Sequence, residues 1–471
     1  MPRPIAFFDL DGTLRDTYLA MYPRANQVTV FPGVTERLTA IRGAGYWLVG
    51  ITNQGGVSTG AITSQEVEQA NLRTQELLGQ AKLDLLLFCP HHDLGNGHIC
   101  DCKKPAPGML LDALSELPGS TLKGSTVVGD SLLKDKGVAD ALAIPFIAAE
   151  AFRSQTPKAI LDSMTCTNVS QKLSLDRVMG TLVGMAVGDA LAACVEFWPR
   201  KLVQSTYPDG LKFMRASSLW QAGEYTDDTQ MALLIADSLL QCGELNPKDV
   251  AIRFRHWSKT AKDVGIQTRR VVNFDGYVEH PEDVSRQDYE QHPKNAAGNG
   301  AVMRCAPVAL FHSDSLPMLL ADSRRSARIT HGDPKAQASC VLLNCAINRF
   351  IHGGGRDSPW QQGMKFLTPY ELKAWSRLPA IASLKITEIA SSGYTVSTVE
   401  AAFWSFEQTD SFEAAIELAA SLGDDADTVA AVTGALAGAY YGYSAIPDQW
   451  RKDLRDEELI RETALRLAKI S

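Results

Sequence analysis

Two acidic motifs about 200 residues apart constrain this chain more than any other feature. Residues 223–231 read GEYTDDTQM and set Thr226, Asp227 and Asp228 at the head of an apolar helical stretch (Met231, Leu233, Leu234, Ile235, Leu239, Leu240). Residues 423–428 read GDDADT and run into a second helical stretch, 429–441, rich in small residues. Either motif alone is an ordinary helix start, where Asp and Thr cap free N–H groups and suit the dipole. Neighbouring carboxylates repel, however, and are costly to hold together without a cation. Two such motifs, both bearing Asp and Thr, predict a fold that closes hard oxygen ligands around a divalent ion such as Mg²⁺.

At 471 residues the chain exceeds one ordinary core, so two domains are expected. A hydrophobic content of 45% and a charged content of 21% are those of a soluble globular protein. The net charge of −8 does not favour a broad nucleic-acid footprint. There is no basic segment followed by an apolar core at the N-terminus and no membrane-length apolar run, so a cytoplasmic location without membrane association is expected. Three of the nine cysteines crowd into residues 89–102, and Cys166, Cys194, Cys242, Cys305, Cys340 and Cys345 are scattered among apolar neighbours. That distribution suits a local metal site plus buried thiols better than a disulfide framework.

In the first part, strand-like runs at 4–8, 47–52, 83–89, 126–129 and 144–148 alternate with helical stretches such as 34–43, 64–79 and 107–116. Alternation of this kind predicts an α/β, Rossmann-like parallel sheet whose site lies beyond the carboxyl ends of the strands. Those ends carry Asp9 and Asp11, then Thr52 and Asn53, then Lys103 and Lys104, then Asp130, with Lys134 and Asp135 just beyond. In this order the motifs resemble the haloacid-dehalogenase-type phosphatases, across about residues 4–150. The resemblance implies that Asp9 is the nucleophile forming an aspartyl phosphate and that Asp11 is the general acid and base. It implies that Thr52 and Lys104 hold the phosphate oxygens, and that Asp130, Asp9 and the Asp11 carbonyl hold Mg²⁺. Asn53 and Lys103 are candidate substrate contacts.

Cys89 and His91, with Cys100 and Cys102, form a CxH…CxC pattern on one loop, a tetrahedral Zn²⁺ set of structural type. A loop so poor in apolar residues would fold on its metal. It resembles the zinc loop of the histidinol-phosphate and heptose-bisphosphate phosphatases, where the first His of the pair is the ligand, leaving His92 as a candidate substrate contact. Two features depart from that pattern: no Arg follows Thr52-Asn53-Gln54, and Lys103 stands where an Arg often precedes the catalytic Lys.

Residues 153–172 read as a linker, giving domains at 1–152 and 173–471. From residue 174 onward helical stretches dominate: 175–191, 231–240, 247–261, 318–329, 335–351, 399–408, 412–421 and 429–441. An all-α domain is predicted, with tight helix packing where small residues crowd 180–191. Gly184, Gly188-Asp189-Ala190, Glu196-Phe197, residues 225–230, Gly298-Asn299-Gly300 with Met303-Arg304, Thr330-His331 and residues 423–428 occur in order and resemble the ADP-ribosylglycohydrolase family across about 173–450. The resemblance implies two Mg²⁺ or Mn²⁺ ions held by Thr226, Asp227, Asp228, Asp425, Asp427 and Thr428. Asp227 or Asp228 would also orient the attacking water.

Glu196 is expected near the substrate ribose or adenosine, and Gly298, Asn299 and Gly300 are expected to offer backbone N–H groups to a pyrophosphate. His331 is a further pocket candidate. For Asn299 a helix-entry turn, and for His331 a packed helix-end histidine, remain the alternatives. Ala192 and Asp424 stand where glycine is usual in the family.

The expected protein is a bifunctional hydrolase: a phosphomonoesterase joined to an ADP-ribosyl glycosidase, acting in consecutive steps on phosphorylated ADP-ribose or an ADP-ribosylated end. One alternative is two independent activities, on a small sugar or histidinol phosphate and on ADP-ribosylated protein or nucleic acid. Another is a module that senses ADP-ribose without turnover, which the intact acidic ligand set argues against.

Overall fold

The computed structural model describes residues 2–17, 22–91, 102–142, 144–164 and 173–469. The chain divides into two compact units, Met1–Val169 and Ser170–Ser471. Among the described residues no helix is long and apolar enough to cross a membrane.

The first unit is built on a parallel sheet. Its strand order is Leu85–Cys89, Trp47–Asn53, Arg3–Asp9, Ser120–Gly129 and Phe146–Ala148. Ile5, Ala6, Phe7 and Phe8 of the middle strand are fully buried. A strand covered on both faces must be apolar throughout, which is why this run shows no alternation. The register sets Asp9 beside Ile51 and Asn53 beside Cys89, so the chemistry-bearing ends lie along one edge of the sheet. The last strand is shorter than expected. The one carrying Asp130 at its end begins earlier, with a register shift against Pro4–Ala6. A two-stranded antiparallel ribbon, Arg15–Asp16 with Thr29–Val30, follows the first strand.

Part of the segment expected to be linker is helical. Helix Pro157–Met164 buries Ile160 and Met164 in the core formed by Phe8, Leu38 and Phe152. The apolar residues of a short amphipathic helix in a polar stretch are enough to dock it.

The second unit is helical, as expected. Helix Leu175–Ala192 packs against helix Ala426–Tyr441. A Cβ added at Gly180 would lie 2.4 Å from the Gly438 carbonyl oxygen, at Gly184 2.5 Å from that of Gly434, and at Gly188 2.1 Å from that of Ala430. The two helices therefore run antiparallel with their backbones in direct contact, and only glycine admits this approach. Helices Asp227–Cys242, Pro334–Ile351, Thr395–Glu407 and Phe412–Ser421 surround the pair. Several short helices, among them Ile266–Val272 and Pro281–Gln291, fall in stretches whose polar composition hid them from periodicity.

Gly184→Ala should destabilise the protein by about 1–3 kcal/mol, because the added methyl meets a backbone oxygen that cannot move aside. Denaturant unfolding of the variant measures this. A change within error of zero would show that the helices can separate at no cost.

Candidate active sites

The glycine contact sets the end of one helix against the start of the other, and the acidic site of the second unit forms there. Asp189, fully buried near the end of Leu175–Ala192, accepts from the Thr226 N–H (2.9 Å), the Thr229 N–H (3.1 Å) and the Thr229 hydroxyl (2.6 Å). It thereby caps helix Asp227–Cys242 from outside and positions Thr226, Asp227 and Asp228. The Thr226 hydroxyl lies 3.1 Å from Asp228 Oδ2, and the Thr428 hydroxyl, from the other motif, donates to the same oxygen at 3.3 Å. The two motifs therefore meet, as expected.

Glu196 joins them. Its carboxylate falls with those of Asp425 and Asp427 in one group whose ligand atoms lie within 4.8 Å of each other. It had been expected at the substrate's ribose or adenosine. What brings it here is a backbone clamp: the Phe197 N–H donates to the Asp424 carbonyl (2.6 Å) and the Asp424 N–H to the Trp198 carbonyl (2.7 Å). Both central residues are left-handed, Phe197 at φ 62° and Asp424 at φ 53°. Asp tolerates this region and glycine adopts it freely, which accounts for the usual glycine at position 424. A bulky Phe there is strained.

Among the described residues no Lys or Arg forms a salt bridge with Glu196, Asp227, Asp228, Asp425 or Asp427; the buried Arg304 guanidinium acts on Asp227 only from farther away. Burial, then mutual repulsion, pushes Glu196 and Asp227 each up to about 8, and holds Asp228 and Asp427 well above the usual carboxylate range. Burial likewise raises Asp189 to about 6, against the four hydrogen bonds that favour its charge. Asp228 Oδ1 and Asp427 Oδ1 are buried with no hydrogen-bond partner among the described residues. Buried, unpartnered carboxylate oxygens of hard type are the donor set a divalent cation needs.

Asp263 was missed by the sequence reading, lying in a stretch without a recognisable motif. Its charge acts on Glu196, Asp227 and Asp425. It also lines a cavity of about 500 Å³ with Ile266, Arg269, Arg270 and Asn273.

The Gly298–Gly300 turn behaves differently from expectation. The Gly298 N–H donates to Gln267 Oε1 (3.2 Å) and the Asn299 N–H to the Gly393 carbonyl (3.0 Å), so two of the three amides expected at a pyrophosphate are already engaged. The Asn299 side chain instead donates to Asp425 Oδ2 at 2.6 Å, and to the Thr398 hydroxyl. His331 is buried beneath the turn: a Cβ on Gly300 would lie 2.9 Å from its ring. The Thr330 hydroxyl accepts from Arg304 Nη2 and lies within hydrogen-bond distance, 2.7 Å, of His331 Nδ1. Burial, reinforced by Arg304 and Arg270, holds His331 neutral, well below its ordinary value.

In the first unit, Lys104 Nζ donates to Asp9 Oδ1 and Asp135 Oδ1, both at 2.6 Å. Burial pushes Asp9 up to about 7 even beside this ammonium, and burial also raises Asp130. Asp9, Asp130 and Asp135 group their oxygens within 4.8 Å. Asp135 is thus a further member of the expected metal site. Gly12, at φ 81°, leaves room for Asp130: a Cβ there would lie 2.2 Å from its Oδ2. The Asp11 carboxylate lies outside this group and pairs with Arg15 at 2.8 Å. It also accepts from the Thr52 hydroxyl (3.0 Å) and the Gln54 amide (2.7 Å).

Asn53, expected to touch substrate, exchanges both amide groups with the Lys104 backbone, donating to its carbonyl (3.0 Å) and accepting from its N–H (2.9 Å). It positions the lysine loop. Lys103 is half-buried next to it.

Cys89 Sγ and Cys102 Sγ lie 3.6 and 3.4 Å from His91 Nδ1, a group that could hold a metal only with Cys102 as a free thiol. Cys102 is disulfide-bonded. Cys100 and His92 lie outside the described residues.

The ADP-ribosylglycohydrolase family model matches residues 170–471, and the polynucleotide kinase 3 phosphatase model matches residues 4–136. The ADP-ribosylarginine hydrolase Tri1 of Serratia proteamaculans is 37% identical over 313 residues, covering 64% of this chain and 81% of that protein. The ADP-ribosyl-(dinitrogen reductase) glycohydrolase of Rhodospirillum rubrum is 32% identical, covering 61% of this chain and 93% of its own length. A solved ADP-ribosylglycohydrolase-related protein complex is 34% identical with a TM-score of 0.51, covering 63% of this chain and 98% of that one. The helical architecture of the second unit agrees with these matches: the chain belongs to the ADP-ribosylglycohydrolase family, and carries a haloacid-dehalogenase-like phosphatase domain ahead of that domain.

Proposed function

We propose that the second unit cleaves an ADP-ribosyl glycosidic bond with two divalent ions, Mg²⁺ or Mn²⁺, and that the first unit removes a phosphoryl group through an aspartyl phosphate on Asp9. The observation that carries the first part is the pair of buried, unpartnered oxygens on Asp228 and Asp427. Thr226, Asp227, Asp228, Asp425, Asp427 and Thr428, with Glu196 added, would hold the ions. When bound, the ions supply Lewis acidity, holding a ribose diol and lowering the pKa of a water. Asp227 and Asp228 would orient the attacking water, and the surrounding carboxylates favour the oxocarbenium-like charge that develops as the leaving group departs. His331, buried and neutral, supports the Gly298–Gly300 turn from beneath. The cavity beside Asp263 receives what the ribose is attached to.

In the first unit, Asp9 attacks phosphorus. Thr52 and Lys104 hold the phosphoryl oxygens, and Mg²⁺ would be held by Asp9, Asp130 and Asp135. A Zn²⁺ held by Cys89, His91, Cys100 and Cys102 would replace the disulfide at Cys102 when the thiols are reduced.

The two sites act in turn on one molecule, a phosphorylated ADP-ribose or an ADP-ribosylated end. The names of the two model matches, one for ADP-ribosyl bonds and one for polynucleotide 3 phosphates, support a substrate bearing both groups. A second reading, two unconnected activities, draws support from the relative named for ADP-ribosylarginine, whose leaving group bears no phosphate.

Assayed on phosphorylated ADP-ribose and on a panel of ADP-ribosyl linkages, Asp227→Asn combined with Asp425→Asn should lose ADP-ribose release by about two orders of magnitude or more. A metal's charge stabilisation is worth several kcal/mol. Phosphate release should persist in that variant and vanish in Asp9→Asn. Failure of the unmutated chain to release both phosphate and ADP-ribose from one such substrate would overturn the consecutive scheme.

The raised carboxylates also predict a pH dependence. A group whose pKa is raised on folding binds its proton more tightly in the folded state. Metal-free stability is therefore greatest below about pH 4 and falls as pH climbs towards 8. Thermal unfolding in chelator at pH 5 and pH 8 should show the lower midpoint at pH 8, and Mn²⁺ should restore it. Insensitivity to Mn²⁺ at pH 8 would count against the metal site.

A further inference from the structure

We propose that Arg15 is a positioning residue of the phosphatase reaction, which holds Asp11 where it exchanges a proton with the leaving-group oxygen. The inference rests on the reading of Asp11 as acid and base.

Arg15 lies on the short ribbon that follows the first strand, and its side chain is wholly buried. Nε donates to Asp11 Oδ1 at 2.8 Å and Nη2 to Asp11 Oδ2 at 3.3 Å, a two-pronged grip matched to a carboxylate. Nη1 donates to Asn71 Oδ1 at 2.9 Å and to the Thr74 hydroxyl at 3.0 Å. Both partners are buried on helix Ser64–Leu78, whose start is fixed by a reciprocal cap between Thr63 and Glu66. The guanidinium is thus a rigid bracket between that helix and Asp11. A buried guanidinium needs a counter-charge, and the one it takes is the Asp11 carboxylate, 30% exposed at the carboxyl edge of the sheet.

The other contacts to Asp11 do not make Arg15 redundant. Thr52 has one hydroxyl proton, which here points to Asp11 Oδ2. Once Thr52 donates to a phosphate oxygen, that contact ends. The Arg15 grip and the Gln54 amide then hold Asp11 alone.

In the first half-reaction the Asp9 oxygen forms a bond to phosphorus and the bond to the leaving oxygen breaks. The electron pair stays on that oxygen and takes a proton from Asp11. In the second half-reaction water gives a proton to Asp11 as it attacks the aspartyl phosphate, which restores Asp9 and releases inorganic phosphate. A carboxyl group displaced by an ångström loses much of this transfer.

The test compares kcat/KM, which reports the first half-reaction, for an alkyl phosphate and for p-nitrophenyl phosphate on the full chain. An alkoxide needs the proton and a nitrophenolate does not. Asp11→Asn should lose on the order of 10²–10⁴-fold on the alkyl ester and far less on the aryl ester. Arg15→Met should show the same selective loss, at least about tenfold, and Arg15→Lys a smaller one. Equal loss on both esters, or none, with Asp11→Asn still selective, overturns the role of Arg15 alone. A non-selective Asp11→Asn overturns both readings. If Arg15→Met does not fold, Asn71→Ala frees the guanidinium at its far end and carries the same comparison: selective loss on the alkyl ester supports the role, and equal loss overturns it.

Discussion

The backbone contact between helices Leu175–Ala192 and Ala426–Tyr441 is the constraint on which the second unit depends. Gly180, Gly184 and Gly188 face Gly438, Gly434 and Ala430 with no side chain between them. The close approach leaves no room for water along the helix pair, and it carries Asp189 to the start of the partner helix, where Asp427 and Thr428 begin. Asp189 then caps a third helix and so presents Thr226, Asp227 and Asp228 to the same spot. The tightest packing and the least favourable electrostatics of the unit therefore occur together. Buried carboxylates without salt bridges are tolerated because the surrounding apolar packing far outweighs them, and a cation would turn the same burial into binding energy.

The first unit solves a related problem differently. Its sheet delivers acidic residues to one edge because parallel strands all end there, and Lys104 stands between Asp9 and Asp135 as a built-in counter-charge. Asn53 spends both of its amide groups on fixing the loop that carries this lysine. The clustered carboxylates of the two units thus differ in their surroundings. One set is paired directly with an ammonium and with Arg15; the other forms no salt bridge among the described residues.

Much of this was legible beforehand where function and local structure coincide. Asp9 is the last residue of a buried apolar strand, and Asp227 and Asp425 stand at the heads of apolar helices, so pattern alone located them. Asp130 could be read from its place after a strand. Illegible were the residues whose part depends on a partner far along the chain. Glu196 reaches Asp425 through a clamp made of backbone groups, which leave no trace in residue type. Gln267 takes the Gly298 amide from the expected pyrophosphate site, 31 positions away. Asp263 and Arg15 lie in stretches whose composition matches any polar loop.

The amino-acid order by itself determined the two architectures and singled out most of the clustered carboxylates, because hydrophobic period and strand-end chemistry are local properties. Tertiary structure alone decided which carboxylates share a site and which amides are already spent. It also decided which cations reach them: Lys104 at Asp9, Arg15 at Asp11, and none at Asp228 and Asp427 among the described residues. The reason is that electrostatic energy depends on distances and burial between groups that the chain keeps far apart until it folds.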